Sequence, residues 1–170
     1  LDQTGVALKM LDIVFEGPSQ DDARLSRALA SPVPTVMAQL FSLSPEPALH
    51  SGKLAGALPF ASCPRPSAPA YGYMASDPGL LASPFAGHIT PLVAADGAIR
   101  QLPALICYDD KTYATLAIAG VIAATDAAPQ LRPGAGLLDP PWWLELGGLR
   151  LPLDDAGHLR ISYQMPRDGL

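Results

Sequence analysis

Val6-Ala7-Leu8-Lys9-Met10-Leu11-Asp12-Ile13-Val14-Phe15 is the stretch on which the fold turns. From Gly5 to Phe15 the chain is nearly continuously apolar. Such a run suits a strand covered on both faces, as in a parallel or mixed sheet. Gly17-Pro18 stops it. Ser19 then opens a short helix, with Asp22 three residues on in the manner of a capping box. Leu25, Ala28 and Leu29 give that helix a narrow apolar stripe. Ser31-Pro32 ends it, and Val33 to Leu43 reads as a second strand. Strand, helix and strand form a βαβ unit whose two strands are expected to be parallel and adjacent.

Working outward, residues 44–86 hold eight prolines and little periodicity. A helix over Ala48 to Leu58 is one reading there, and Pro59 to Tyr73 reads as an extended surface segment. A connection this long in one domain tends to be functional or mobile. The next signal is Gly87-His88-Ile89 through Asp96-Gly97-Ala98-Ile99-Arg100-Gln101-Leu102-Pro103. Two apolar runs meeting at Asp96-Gly97 predict a β-hairpin with a type I′ turn. A loop of only those two residues sets Ala95 opposite Ala98 and His88 opposite Leu105. Pro91 and Pro103 then face each other's strands, which demands an edge position or a bulge, because neither can donate to the ladder.

Asp109-Asp110 lead into a predicted helix from Lys111 to Ala124, apolar on too many sides to be a surface helix, and Asp126 closes it. Ala127 to Pro141 is a Pro/Gly connection. Leu144 and Leu146, then Leu149, Leu151 and Leu153, alternate with charged or proline positions around Gly147-Gly148, a second hairpin. Asp155-Ala156-Gly157 turns into a last strand, His158 to Gln164. The expected fold is α/β: a mixed sheet with an N-terminal βαβ unit, two β-hairpins and the Pro-rich connection. Residues 1–170 read as a single domain.

Composition narrows the function. A chain of 170 residues can bury roughly 70% of its unfolded surface in one core. Its 49% hydrophobic and 16% charged content describes a packed globule rather than a disordered chain. A net charge of −5, with eleven scattered Lys and Arg, argues against nucleic acid as a partner. The apolar run Tyr113 to Ala124 is shorter than the ~20 residues a bilayer span needs. Opening on Leu1 with no signal peptide, the chain reads as a piece truncated at its N-terminus. Cys63 and Cys107 lack zinc-ligand spacing; an oxidising compartment permits a bond between them, and elsewhere two free thiols remain.

No complete catalytic motif stands in the sequence. Ser51-Gly52 near His50 lacks a nucleophile elbow, and Gly52-Lys53 is followed by Leu54 where a phosphate loop needs Ser or Thr. His50, His88 and His158 lie in different segments without metal-ligand spacing, so neither metal nor cofactor is expected. Asp12 interrupts an apolar strand near its carboxyl end, where open α/β sheets place ligand crevices. It reads either as a ligand contact beside Phe15 or as a buried, hydrogen-bonded carboxylate. Arg100 could bind an anion or pin the hairpin to Asp12 or Asp96. Trp142-Trp143 reads as a cap on the core, with a stacking platform as the alternative.

Glycine, an apolar run, Leu11-Asp12-Ile13-Val14-Phe15, Asp22 and Leu25 resemble the opening half of the second class of CHASE sensor domains. Gly87-His88, Asp96-Gly97-x-x-Arg100-x-x-Pro103, the small-residue helix, Leu151-Pro152-Leu153-Asp154, Gly157 and Ile161-x-Tyr163 follow in the order of its later half. The chain departs from the pattern where an earlier strand and helix are absent and where Ser162 replaces a common asparagine. The resemblance implies a periplasmic input domain of a bacterial transmembrane receptor, with membrane helices outside this chain and a cytoplasmic cyclase or kinase. It implies no catalytic residue, and a small-molecule or protein signal of unknown identity; it allows a homodimer of the receptor. The rivals are a small enzyme using Asp12, Asp96 and a histidine, and a protein-interaction module.

Overall fold

The computed structural model describes residues 5–30, 32–46, 49–80 and 84–163. Its backbone is the expected mixed α/β fold. Strand β1 (Lys9–Leu11), helix α1 (Asp22–Leu29) and strand β2 (Thr35–Ser42) form the βαβ unit, and β1 pairs parallel to β2 with Lys9 beside Thr35. Strand β7 (Ala86–His88) also runs parallel to β2, placing Gly87 beside Ala38 and His88 beside Gln39. Alternation of side chains then sorts the two faces. Val36 and Ala38 pack against helix α2 (Leu116–Thr125) through Leu116 and Ala119. Met37 and Ala86 pack on the other face against Leu29 of α1. The sheet is covered on both sides at β2, whereas the early apolar run supplies only the three-residue β1, with no residue fully buried and Met10 and Ile13 43% and 56% exposed.

Two details let α2 lie where it does. A Cβ on Gly87 would stand 2.5 Å from Leu116 Cα, so only glycine admits the helix. Thr115 caps the helix by accepting the Ile118 N–H at 3.3 Å. At the other end Asp126, at φ 54°, donates its N–H to the Ile122 carbonyl in a left-handed C-terminal cap. Ile118 carries the helix into a second core with Leu105, Leu144, Leu146 and Leu153.

Between β2 and β7 the Pro-rich segment weaves strands β3 (His50–Ser51), β4 (Ala57–Leu58), β5 (Ala68–Pro69) and β6 (Gly72–Met74). Of the helix expected over 48–58, the described residues 49–58 form none. They supply strands to two sheets instead: β3 joins β6, while β4 joins a four-stranded sheet with β5, β10 (Leu105–Tyr108) and β11 (Lys111–Ala114). Residues 111–114, expected to start the helix, are a strand instead, turned back on β10 at Asp109-Asp110, both at positive φ. Helix α2 begins only at Leu116.

The first hairpin is shorter than expected. Strand β8 is Leu92–Val93 and β9 is Ile99–Pro103. The Gly97 N–H donates to Ala94 O and the Ala94 N–H to Ala98 O, with Gly97 at φ 80°. Asp96 stays at negative φ, so the turn is a three-residue loop ending in a glycine bulge rather than type I′. The register shifts at Val93, which pairs with Ile99, and His88 sits beside Gln39 instead of Leu105. Pro91 ends the pairing on one side, as its missing donor requires.

Strands β12 (Gln130–Pro133), β13 (Trp142–Leu146) and β14 (Leu149–Leu153) make a C-terminal ribbon. The connection expected over 127–141 thus contains a strand. The second hairpin turns at Gly147-Gly148, both at positive φ, with Leu146 opposite Leu149 as its sequence implies. The last strand, β15 (His158–Arg160), pairs with β9 rather than β14. Of its expected span, Gln164 lies outside the described residues.

Candidate functional site

The same layers leave one side of α2 partly uncovered. There the first turns of α2, the ribbon, β9 and β15 surround an open cleft of about 680 Å³. Leu116, Ile118 and Val121 form the helical wall, and Leu146, Leu149 and Leu151 the opposite wall. Ile89, Ile99, Leu102 and Leu159 complete an almost wholly apolar lining. Met10 and Leu149 stand at the mouth, 43% and 47% exposed. The volume falls within the ~300–1,000 Å³ of small-molecule pockets.

Charge enters only at the rim. Asp12 and Arg160 line the cleft and are exposed, and among the described residues neither charged side chain has a hydrogen-bond or ion-pair partner. Asp12 follows β1 instead of interrupting a buried strand, because β1 ends at Leu11. The buried-carboxylate reading of this residue is thereby overturned. Its position at a sheet's opening agrees with a ligand contact, and geometry separates it from Phe15. Phe15 packs on the opposite face with Leu29 and Met37.

Family models, curated proteins and solved structures offer no match to this chain. The site must therefore be read from its own chemistry.

Arg100 is engaged elsewhere. Its guanidinium grips Asp96 in a bidentate pair at 2.8 and 2.7 Å, holding the Asp96 carboxyl below the usual carboxylate range. The pair pins the hairpin, and the ring hydroxyl of Tyr163 donates to Ile99 O beside it. Pro152 sits opposite Trp143 in the ribbon. Gly157 is held at φ 81° where a Cβ would stand 2.8 Å from Pro66 O, so glycine joins the last turn to the Pro-rich segment.

His88 borders the cleft but faces away from it. Gly87 and Ile89 take the α2 side, so the imidazole lies on the other face of the sheet, edge-on to Phe41 at 6.2 Å. It is 1% exposed, neither ring nitrogen has a partner, and burial pulls its pKa down to about 3. The ring is neutral at physiological pH. His50 meets Tyr73 edge-to-face, and His158 lies 3.3 Å from Asp154. No group of three His, Cys, Asp or Glu able to hold a metal forms among the described residues.

Cys63 and Cys107 are bonded, with Cα atoms 5.6 Å apart. The bond ties the Pro-rich segment to β10. The two tryptophans divide the readings made of them: Trp142 packs on the core, while Trp143 faces outward under the Arg150 guanidinium, 4.4 Å from the ring centre. Sequence reasoning missed Arg160 and the cleft itself. Alternation in Leu149-Arg150-Leu151 marked a buried face, but no pattern tells how much of that face the rest of the chain covers.

Proposed function

We propose that this chain is a periplasmic sensory input domain of a bacterial transmembrane receptor. On this reading a largely apolar small molecule enters the cleft beside α2, and the chain performs no chemistry of its own. The cleft carries the reading: an apolar volume of about 680 Å³ with one acidic and one basic side chain at its mouth suits binding and orienting, not bond-breaking. The disulfide supports an oxidising compartment. The ordered motifs from Gly87-His88 to Tyr163 support the resemblance to the second class of CHASE domains. Binding would shift the receptor only by the ligand's differential affinity for two states. Contacts to α2, the ribbon and β15 together give the ligand leverage on elements far apart in the chain.

Val121→Trp fills the cleft from its helical wall. The isolated chain should bind the neutral apolar dye N-phenyl-1-naphthylamine, and the variant should bind it at least tenfold more weakly with an unchanged melting curve. In the full-length receptor the same substitution, and Asp12→Asn at the rim, should alter cyclase or kinase output without altering abundance. Dye binding that ignores Val121→Trp overturns the cleft assignment. Unaltered output from both receptor variants overturns the sensory reading.

A further inference from the structure

The connection between β12 and β13 is a hairpin tip with an unusual apex. Leu137 and Leu138 are 101% and 98% exposed, far beyond any other large apolar side chain among the described residues. Their exposure does not come from a loose loop. The Asp139 carboxylate accepts the N–H groups of Ala135 and Gly136 at 3.1 and 3.0 Å, and the Asp139 N–H returns to Gly136 O. Gly134 donates to Pro141 O at 3.0 Å, closing the loop at its neck. Pro133, Pro140 and Pro141 limit the backbone further. Two leucines are thus held outward on a pre-ordered support, where water is their only neighbour.

Below the apex the exposed face of the ribbon changes character in steps. Trp143 lies opposite Arg132 in the register, and Arg150 stacks over its ring. Glu145 accepts from both arginines, at 2.8 and 3.2 Å, so this face keeps one net positive charge. Asp139, the only acid at the tip, keeps its negative charge while backbone donors hold its oxygens, so the charges of Arg132, Arg150, Glu145 and Asp139 balance.

We propose that this hairpin docks on a phospholipid surface. Leu137 and Leu138 enter the acyl boundary, Trp143 sits at the headgroup level, and Arg132 and Arg150 meet the phosphates. An apolar tip followed by a tryptophan with arginines at its own level matches a membrane interface, where aromatic and cationic side chains share the headgroup region. A convex tip of two side chains suits a deformable lipid layer, and the Arg132 and Arg150 guanidiniums beneath it, 60% and 59% exposed, are placed to reach lipid phosphates. The cleft of a second copy is the rival occupant. The inference rests on the loop and ribbon alone, and not on the sensory reading.

The test is co-sedimentation of the purified chain with vesicles of phosphatidylethanolamine and phosphatidylglycerol in a three-to-one ratio. The comparison protein is the Leu137→Ser/Leu138→Ser double variant, whose replaced side chains touch nothing and whose melting curve should not move. The wild type should partition to vesicles at least tenfold more strongly than the variant, with a blue shift of tryptophan emission that the variant lacks. Failure of the wild type to sediment, or equal sedimentation of both, overturns the proposal. So does leucine-dependent self-association in sedimentation velocity without vesicle binding, which would assign the tip to a second copy.

Discussion

The Pro-rich segment and the C-terminal ribbon are opposites in sequence and, unexpectedly, opposites in closure. Residues 49–80 have no clear period, yet they are sealed onto the sheet. The Gln39 amide exchanges two hydrogen bonds with the Ala55 backbone, at 3.2 and 3.3 Å. A Cβ on Gly52 would stand 1.9 Å from Ala75 O, and one on Gly56 2.3 Å from Ala86 O, so backbone meets backbone. Phe41, Tyr73, Tyr108 and Tyr113 interlock beneath. The ribbon is patterned as strands should be, but one wall of it borders the open cleft and its tip points two leucines at water. Regular patterning makes elements; it does not ensure that their faces are covered. Irregular chain closes only through specific long-range contacts, and it either has them or stays open.

The disulfide gives the sharpest test of this contrast. Replacing both cysteines, Cys63→Ser/Cys107→Ser, releases a loop spanning 44 residues and should cost about 4 kcal/mol of stability in denaturant unfolding. Hydrogen exchange should then accelerate first in residues 57–74, with the ribbon amides still protected. Simultaneous loss of protection in β12 to β14 would mean that the two regions are held as one unit.

His88 tests how dry the space beneath the Pro-rich segment is. Its folded pKa of about 3 lies below the unfolded value of 6.5. Above about pH 6.5 the stabilisation is fully present, and it is lost as pH falls toward 3, because the unfolded chain binds the extra proton. At pH 5 the loss relative to pH 7 should be about 2 kcal/mol. His88→Leu, similar in volume and without orphaned nitrogens, should remove this part of the acid slope. An unchanged slope between pH 7 and 4 in the variant would show that the imidazole finds water, and that the segment is less sealed than its contacts imply.

The smallest effect is expected on the ribbon's exposed face. Glu145→Gln breaks both arginine pairs, yet Arg132 and Arg150 are 60% and 59% exposed, so the cost should be no more than ~1 kcal/mol. That cost should shrink further in high salt. A larger, salt-insensitive loss would show that this face, too, is held by buried interactions.

Parts of this were legible in local sequence. The βαβ unit follows from apolar runs separated by an amphipathic stretch, although α1 starts at Asp22 rather than Ser19 and its N-cap Asp21 makes no side-chain capping bond. Gly147-Gly148 with alternating leucines gives the second hairpin its register. Both depend on neighbours within a few residues. The turn at Asp96-Gly97 was legible as a turn but not in type: Asp96 keeps a negative φ with its carboxylate on the Ala98 N–H and Arg100, which leaves positive φ to Gly97 alone. Lys111 to Ala114 carries apolar residues suited to helix or strand, and β10 and β4 on either side decide for strand. The candidate site was legible only at Asp12, and there for its place at a strand's end.

By itself, then, the sequence determined the strand–helix–strand order at the start of the chain, the turns at Asp96-Gly97 and Gly147-Gly148, and that the fold is α/β. Those are short-range properties of side-chain period, backbone freedom and missing donors. Tertiary structure alone decided that Cys63 meets Cys107, that Gly87 lies under α2, and that Asp12 and Arg160 share the mouth of a cleft. Each of these depends on how separately formed layers are placed in space. An uncovered surface is defined by what fails to pack against it, and no local pattern of residues carries that information.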